Sequence, residues 1–232
     1  MTSIDSGLFA RLRSLYPAAE TDTGDRTWAL VAACAFSAAN APEAVPRVFE
    51  YAIEGEASHE ERLRFARKMR DALFKSGMLS GYPKAINGLV KLHESTPEDL
   101  RDKAPLRSLD APNQELQKTG EALFASTYGE KTNAVSALVH DIYPDFGYFC
   151  MTFAYGFVYG PTVALGPAET SFAMVAALIA VDVPTQIDWH LQGARRHGAS
   201  IAQIRAVREI AIEASRAAGA TWKNTIPEVL EK

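Results

Sequence analysis

Residues 184–203 read PTQIDWHLQGARRHGASIAQ. Pro184 suits the first turn of a helix, where its missing N–H would have no partner anyway. Ser200-Ile201-Ala202-Gln203 is a capping box: the serine oxygen takes the amide three residues on, and the glutamine side chain reaches back. The same frame occurs earlier. Pro42 opens a helix, Ser58-His59-Glu60-Glu61 is a second capping box, and sixteen residues separate proline from serine in both places. Working outward, a helix apolar nearly all round precedes each frame, over residues 25–40 and 167–181, and such helices belong at the centre of a fold. A long helix closed by a glycine follows each, Gly81 and Gly219, and then a short helix. The serine-to-glycine spacings are 23 and 19 residues, a difference of about one helical turn. Glu56-Ala57-Ser58 and Gly198-Ala199-Ser200 fill the same slot. This is the pattern of a duplicated helical unit. Repeat one covers about 24–94 and repeat two about 130–232. The linker, about 95–113, is punctuated by Pro97, Pro105 and Pro112. The whole of 1–232 is expected to form a single all-helical body.

The rest of the chain is helical in character as well. Apolar residues recur at three and four, Ala, Leu, Glu, Arg and Lys dominate, and no run of β-branched alternation stands out. Further helices are expected from Tyr82-Pro83, Gln114, Thr132 and Phe146. The fold class is all-α.

Composition narrows the function without naming it. The chain has 232 residues, 24 Lys+Arg against 28 Asp+Glu, and 47% hydrophobic residues. A formal charge of −4 gives no general attraction to phosphate backbones, so nucleic acid is not an expected partner. The most apolar run, 172–183, is interrupted by Asp182 and stopped by Pro184, too short for a membrane span. Cys34 and Cys150 cannot build a disulfide framework, and this usage suits a reducing compartment. The N-terminal 1–17 reads as a docked helix, with a mitochondrial presequence as the alternative. Val229-Leu230-Glu231-Lys232 matches no peroxisomal or endoplasmic-reticulum address. The expected location is therefore cytoplasmic, with the mitochondrial matrix second.

Three stretches carry a family resemblance: Phe153-Ala154-Tyr155-Gly156-Phe157-Val158-Tyr159-Gly160, Val175-Ala176-Ala177-Leu178, and Ile187 to Ala194 with His197 to Ser200. Together they resemble carboxymuconolactone-decarboxylase-like proteins, which share their fold with the alkylhydroperoxidase D family. Leu79 to Asn87 is similar to the Gly-x-Pro-Lys-Ala-Ile-Asn turn of fungal members. The resemblance covers about 25–90 and 145–225. It implies an alkylhydroperoxidase D-like helical fold and homo-oligomers, commonly trimers or hexamers.

Peroxidase members of that superfamily carry a Glu, then Cys-x-x-Cys, then a His four residues on. A thiol and a His one turn apart share a helix face, so the His can favour the thiolate. The corresponding slots here hold Ser171, Val183, Gln186 and His190. Both thiols are gone and the acid is replaced. Glu169, two residues from Ser171, substitutes only if the helix start is rearranged. His190 is the one retained reactive side chain, open to reading as an acid–base group or as a core histidine bonded to a carbonyl. Gln186 and His197 share its face, with His197 expected to cap the helix end. Tyr155 and Tyr159 are candidates to line a pocket with their hydroxyls, and Arg195 to receive a carboxylate. No spacing of His, Cys, Asp or Glu suggests a metal site, and no cofactor is implied.

Three functions compete. One is cofactor-independent decarboxylation, isomerisation or lactone chemistry on a small organic acid through His190. Another is a non-catalytic oligomeric binding or scaffold protein. The third is peroxide reduction through Cys34 or Cys150.

Overall fold

The computed structural model describes residues 4–17, 26–55 and 58–231, and these carry helices and no strands. The expected start of repeat one near 24 and the Glu56-Ala57 pair lie outside the described residues. In chain order the α-helices are α1 (Ser6–Leu15), α2 (Thr27–Ala38), α3 (Ala44–Ile53), α4 (His59–Ser80) and α5 (Tyr82–Ser95). After a largely irregular 96–112 come α6 (Asn113–Tyr128), α7 (Thr132–Ile142) and α8 (Pro144–Phe149). A π-helix (Cys150–Tyr159) follows, then α9 (Pro167–Ala180), α10 (Pro184–Arg196) and α11 (Ile201–Ala217).

The two all-apolar helices are central. Every residue of α2 is buried, as is α9 from Thr170 to Ile179. These two pack on each other, and α4 and α11 pack on both. The capping boxes form as spelled: Ser58 Oγ accepts from the Glu61 N–H at 3.3 Å and Ser200 Oγ from the Gln203 N–H at 3.2 Å. Gly81, at φ +95°, ends α4 and lets α5 begin at once. After Gly219 no helix follows among the described residues. Instead residues 220–231 lie back on the body: Trp222 Nε1 donates to the Ile179 carbonyl at 2.7 Å, and Arg208 to those of Ile226 and Pro227. Pro227 itself disfavours a helix there.

The stretch expected as one α-helix from Phe146 is instead a short α8 running into a ten-residue π-helix. Its physical basis is close packing on α6. A Cβ at Gly120 would fall on the Met151 carbonyl, and one at Gly156 on the Leu116 carbonyl. Only glycines permit such backbone contact. The i→i+5 pattern also leaves carbonyls unpaired at the end of the helix. Two cations take them. Arg107 donates to Phe157 O and Val158 O, both at 3.1 Å; Lys75 donates to Tyr159 O at 3.2 Å and Pro161 O at 3.0 Å. Asp71 holds both cations, with Oδ1 2.6 Å from Arg107 and Oδ2 3.5 Å from Lys75.

Two apolar clusters result. The larger surrounds α2 and α9. The smaller joins Phe124 and Tyr128 of α6 to Tyr155 and Tyr159 of the π-helix. Helix α10 lies between them: Ile187 and Leu191 belong to the first, while Trp189 packs on the second. No helix among the described residues is long and apolar enough to cross a membrane.

Candidate functional site

His190 occupies this seam. It is 3% exposed, and its ring meets Tyr128 edge-on at 5.9 Å. Its Nδ1 is buried and has no hydrogen-bond partner, so the carbonyl-bonded core histidine is not what forms at this nitrogen. Burial, assisted by nearby His197, pushes its pKa down to about 4, so the imidazole is neutral near pH 7.

Around it the small cluster is rich in hydroxyls. Tyr155 donates to the Tyr128 hydroxyl at 3.0 Å and stacks edge-on against Tyr159 at 5.4 Å. The Tyr159 hydroxyl and Thr152 Oγ1 are buried without partners. Burial raises the pKa of Tyr155 and Tyr159 well above the ordinary phenol value, so both stay protonated. Unpaired polar groups are uncommon inside proteins, and two of these, His190 Nδ1 and the Tyr159 hydroxyl, belong to residues in ring contact with the Tyr128–Tyr155 pair.

The remaining sequence candidates are distributed differently. Ser171, on α9, has its Oγ 2.7 Å from His197 Nδ1 and donates to the Pro167 carbonyl at 3.1 Å. His197 is therefore more than the helix cap expected of it: its Nε2 lies 3.0 Å from Ser126 Oγ on α6. Glu169 is committed elsewhere, accepting from the Gly166 N–H at 3.0 Å and from Lys68 at 2.5 Å. The Glu169 substitution for the missing acid is thus not formed, because the carboxylate serves the start of α9. Gln186 is exposed in the first turn of α10, one turn before His190. Arg195 is also exposed, and lines a surface cleft of about 390 Å³ with Asp188, Gln192 and Glu228 to Leu230. That cleft lies on the opposite side of α10 from His190, since positions three, four and seven apart share a face and 188, 192 and 195 are out of phase with 190.

Tyr128, which meets His190, and Ser126, which meets His197, carry no sequence signal. Tyr128 lies 62 residues before His190 and Ser126 lies 71 before His197, both on α6, so no spacing could mark them. Both thiols are restrained. Cys34 is fully buried with its pKa pushed up to about 12, and burial pushes Cys150 to about 11. Among the described residues, no group of three His, Cys, Asp or Glu is placed to hold a metal ion.

An all-helical body with a buried imidazole on α10 against Tyr128 of α6 agrees with what the chain is similar to. Residues 144–224 match the carboxymuconolactone decarboxylase family, and the chain belongs to that family. Among its relatives is Peroxisomal protein 2 of Schizosaccharomyces pombe, 33% identical over 199 residues spanning 85% of this chain and 89% of the relative. Peroxisomal protein 2 of Saccharomyces cerevisiae is 28% identical over 257 residues, spanning 86% and 91%.

Proposed function

We propose that the protein is a peroxisomal member of the carboxymuconolactone decarboxylase family that binds a small organic acid or carbonyl compound beside His190 and moves a proton on it. The observation that carries this reading is the buried Nδ1 of His190, unpaired within a cluster of tyrosine hydroxyls. A neutral imidazole can take a proton, and protonated phenols can donate hydrogen bonds to a carbonyl or developing enolate. No cofactor enters this scheme. The test is a thermal-shift and isothermal-titration screen of unsaturated and oxo carboxylic acids. Compounds that bind the wild type and not His190→Gln support the reading, and binding indifferent to that change refutes it.

A second reading is a non-catalytic oligomeric scaffold, favoured by the loss of the acid at Ser171 and of both thiols. Exposed Leu138, Ile142, Tyr143, Phe146 and Phe149 on α7 and α8 support a homo-oligomer under either reading. Peroxide reduction is disfavoured, because neither thiol ionises readily.

The cytoplasmic expectation gives way to the peroxisome on the strength of the relatives' names alone. A fluorescent fusion that fails to overlap a peroxisomal marker would refute that placement. The duplication draws support from backbone geometry. Left-handed residues recur in order: Asn40 and Asp182 at φ 62° and 60°, Gly55 and Gly198 at 100° and 92°, Gly81 and Gly219 at 95° and 90°. Asn40 and Asp182 each stand two residues before the proline of their frame.

A further inference from the structure

The hydrogen bonds around His197 form a chain that the His190 chemistry does not use. Ser126 of α6 is exposed, with its Oγ 3.0 Å from His197 Nε2. On the other side of the ring, Nδ1 faces Ser171 Oγ at 2.7 Å, and that hydroxyl donates to the Pro167 carbonyl at 3.1 Å. With its one proton given to that carbonyl, Ser171 Oγ accepts from the ring, which places the proton of the neutral imidazole on Nδ1. Nε2 then presents its lone pair to the Ser126 hydroxyl, whose proton is shared with the Leu123 carbonyl 2.9 Å from the same Oγ. Desolvation and the neighbouring Arg196 hold His197 below the usual imidazole value, against the opposing pull of the Pro167 carbonyl. The ring is therefore neutral and able to accept a proton near pH 7. The groups facing it are His190 and Arg196 of α10, Ser171 and Pro167 of α9, and Ser126 of α6.

The geometry points to a second reactive centre, in which Ser126 is a nucleophile and His197 its general base, acting on small esters or thioesters of carboxylic acids. This is the nucleophile–base–orienter arrangement, with a serine and a carbonyl in the orienting place. Ser126 Oγ attacks the acyl carbon while its proton passes to Nε2. The carbonyl electron pair moves onto oxygen. When it returns, the bond to the leaving alcohol or thiol breaks, and the leaving group takes its electron pair and the Nε2 proton. Water then repeats the sequence on the acyl-serine, releases the acid and restores both residues. Nothing is oxidised or reduced. Arg196 lies beside this serine: its Nη1 donates to the carbonyl of Thr127, the residue next to Ser126, at 2.7 Å. His197 bridges α6, α9 and α10, whereas Ser126 is a surface side chain whose removal leaves no buried gap.

The experiment uses the full chain and p-nitrophenyl acetate, with peptide mass mapping and nitrophenol release. Acetyl on Ser126, or release lost in Ser126→Ala, supports the proposal, provided His197→Gln lowers it at least about tenfold, the low end of what a general base contributes. No acetyl on Ser126 together with release unchanged in Ser126→Ala overturns it, as does acetylation of Ser126 indifferent to His197→Gln. Ser171 is a positioning residue, read from the pH profile. Its hydrogen bond is stronger to the imidazolium than to the neutral ring, so Ser171→Ala moves the acetylation midpoint to lower pH. A Ser171→Ala profile identical to wild type refutes its part. A circular-dichroism melt of each variant separates these outcomes from unfolding.

Discussion

Replacing His190 by leucine should remove function while leaving the protein as stable as before, or more so. The imidazole pays the cost of burying Nδ1 without a partner, which is about 1–3 kcal/mol for such a group. Leucine removes that cost but forfeits the edge contact with Tyr128, worth about 0.5–1.5 kcal/mol. The net expectation is a gain of roughly 0–2 kcal/mol, and each kcal/mol moves Tm by about 2–4 °C in a chain of this size. Acid sharpens the test. The folded pKa of His190 is depressed from 6.5 to about 4. The unfolded chain therefore binds the proton first, and the stabilisation is full above about pH 6.5 and lost as pH falls toward 4. The slope is about 1.4 kcal/mol per pH unit. By about pH 5 the wild type has lost roughly 2 kcal/mol through this group, and the leucine variant has not. Other titrating groups act in both proteins and cancel in the difference. Denaturant unfolding followed by circular dichroism, at about pH 7 and about pH 5, measures both quantities. A leucine variant destabilised by more than about 2 kcal/mol at neutral pH, beyond the whole edge contact, or one whose advantage does not widen in acid, would refute the account of a buried, neutral, unpaired imidazole.

Three further outcomes follow from the packing around the site. Lys75→Met should cost about 3–5 kcal/mol in urea unfolding, because it leaves Asp71 with Arg107 alone and strands the Tyr159 and Pro161 carbonyls. Burial depresses Lys75 from 10.5 to about 8, so the wild type gains stability from this group as pH rises between those values, and the variant should lack that gain. Gly156→Ala should destabilise by about 3 kcal/mol or more, since its methyl meets backbone at Leu116; an unchanged melting temperature would mean that α6 and the π-helix are not in this contact. Cys34 and Cys150 should both resist iodoacetamide at about pH 8 in the native protein and react in urea, and rapid native alkylation of Cys150 would contradict its raised pKa.

The frame of the fold was readable in the chain because its signals are local. A proline at a first turn, a serine with Glu or Gln three residues on and a closing glycine act within one or two turns, and each sits where the structure uses it except Pro42, which lies in the turn before α3. The two all-apolar helices announced the centre because a helix without a polar face has nowhere else to go. The π-helix was not readable: its cause is backbone contact between Gly120 and the π-helix segment, thirty-odd residues away, and two cations from α4 and the linker that occupy its loose end. The missing last helix has a similar origin, in carbonyls of the tail claimed by Arg208.

The site divides along the same line. By itself the sequence determined that no Cys-x-x-Cys is present, and the resemblance put Ser171 in the slot of the acid and kept His190, since such readings concern single positions. Only the tertiary structure decided what His190 meets. It turned Gln186 and Arg195 outward, gave Glu169 to a helix start and Lys68, and brought Tyr128 to His190 and Ser126 to His197 from α6. A helix period says which residues share a face. What that face touches depends on where another helix, more than fifty residues away, comes to pack.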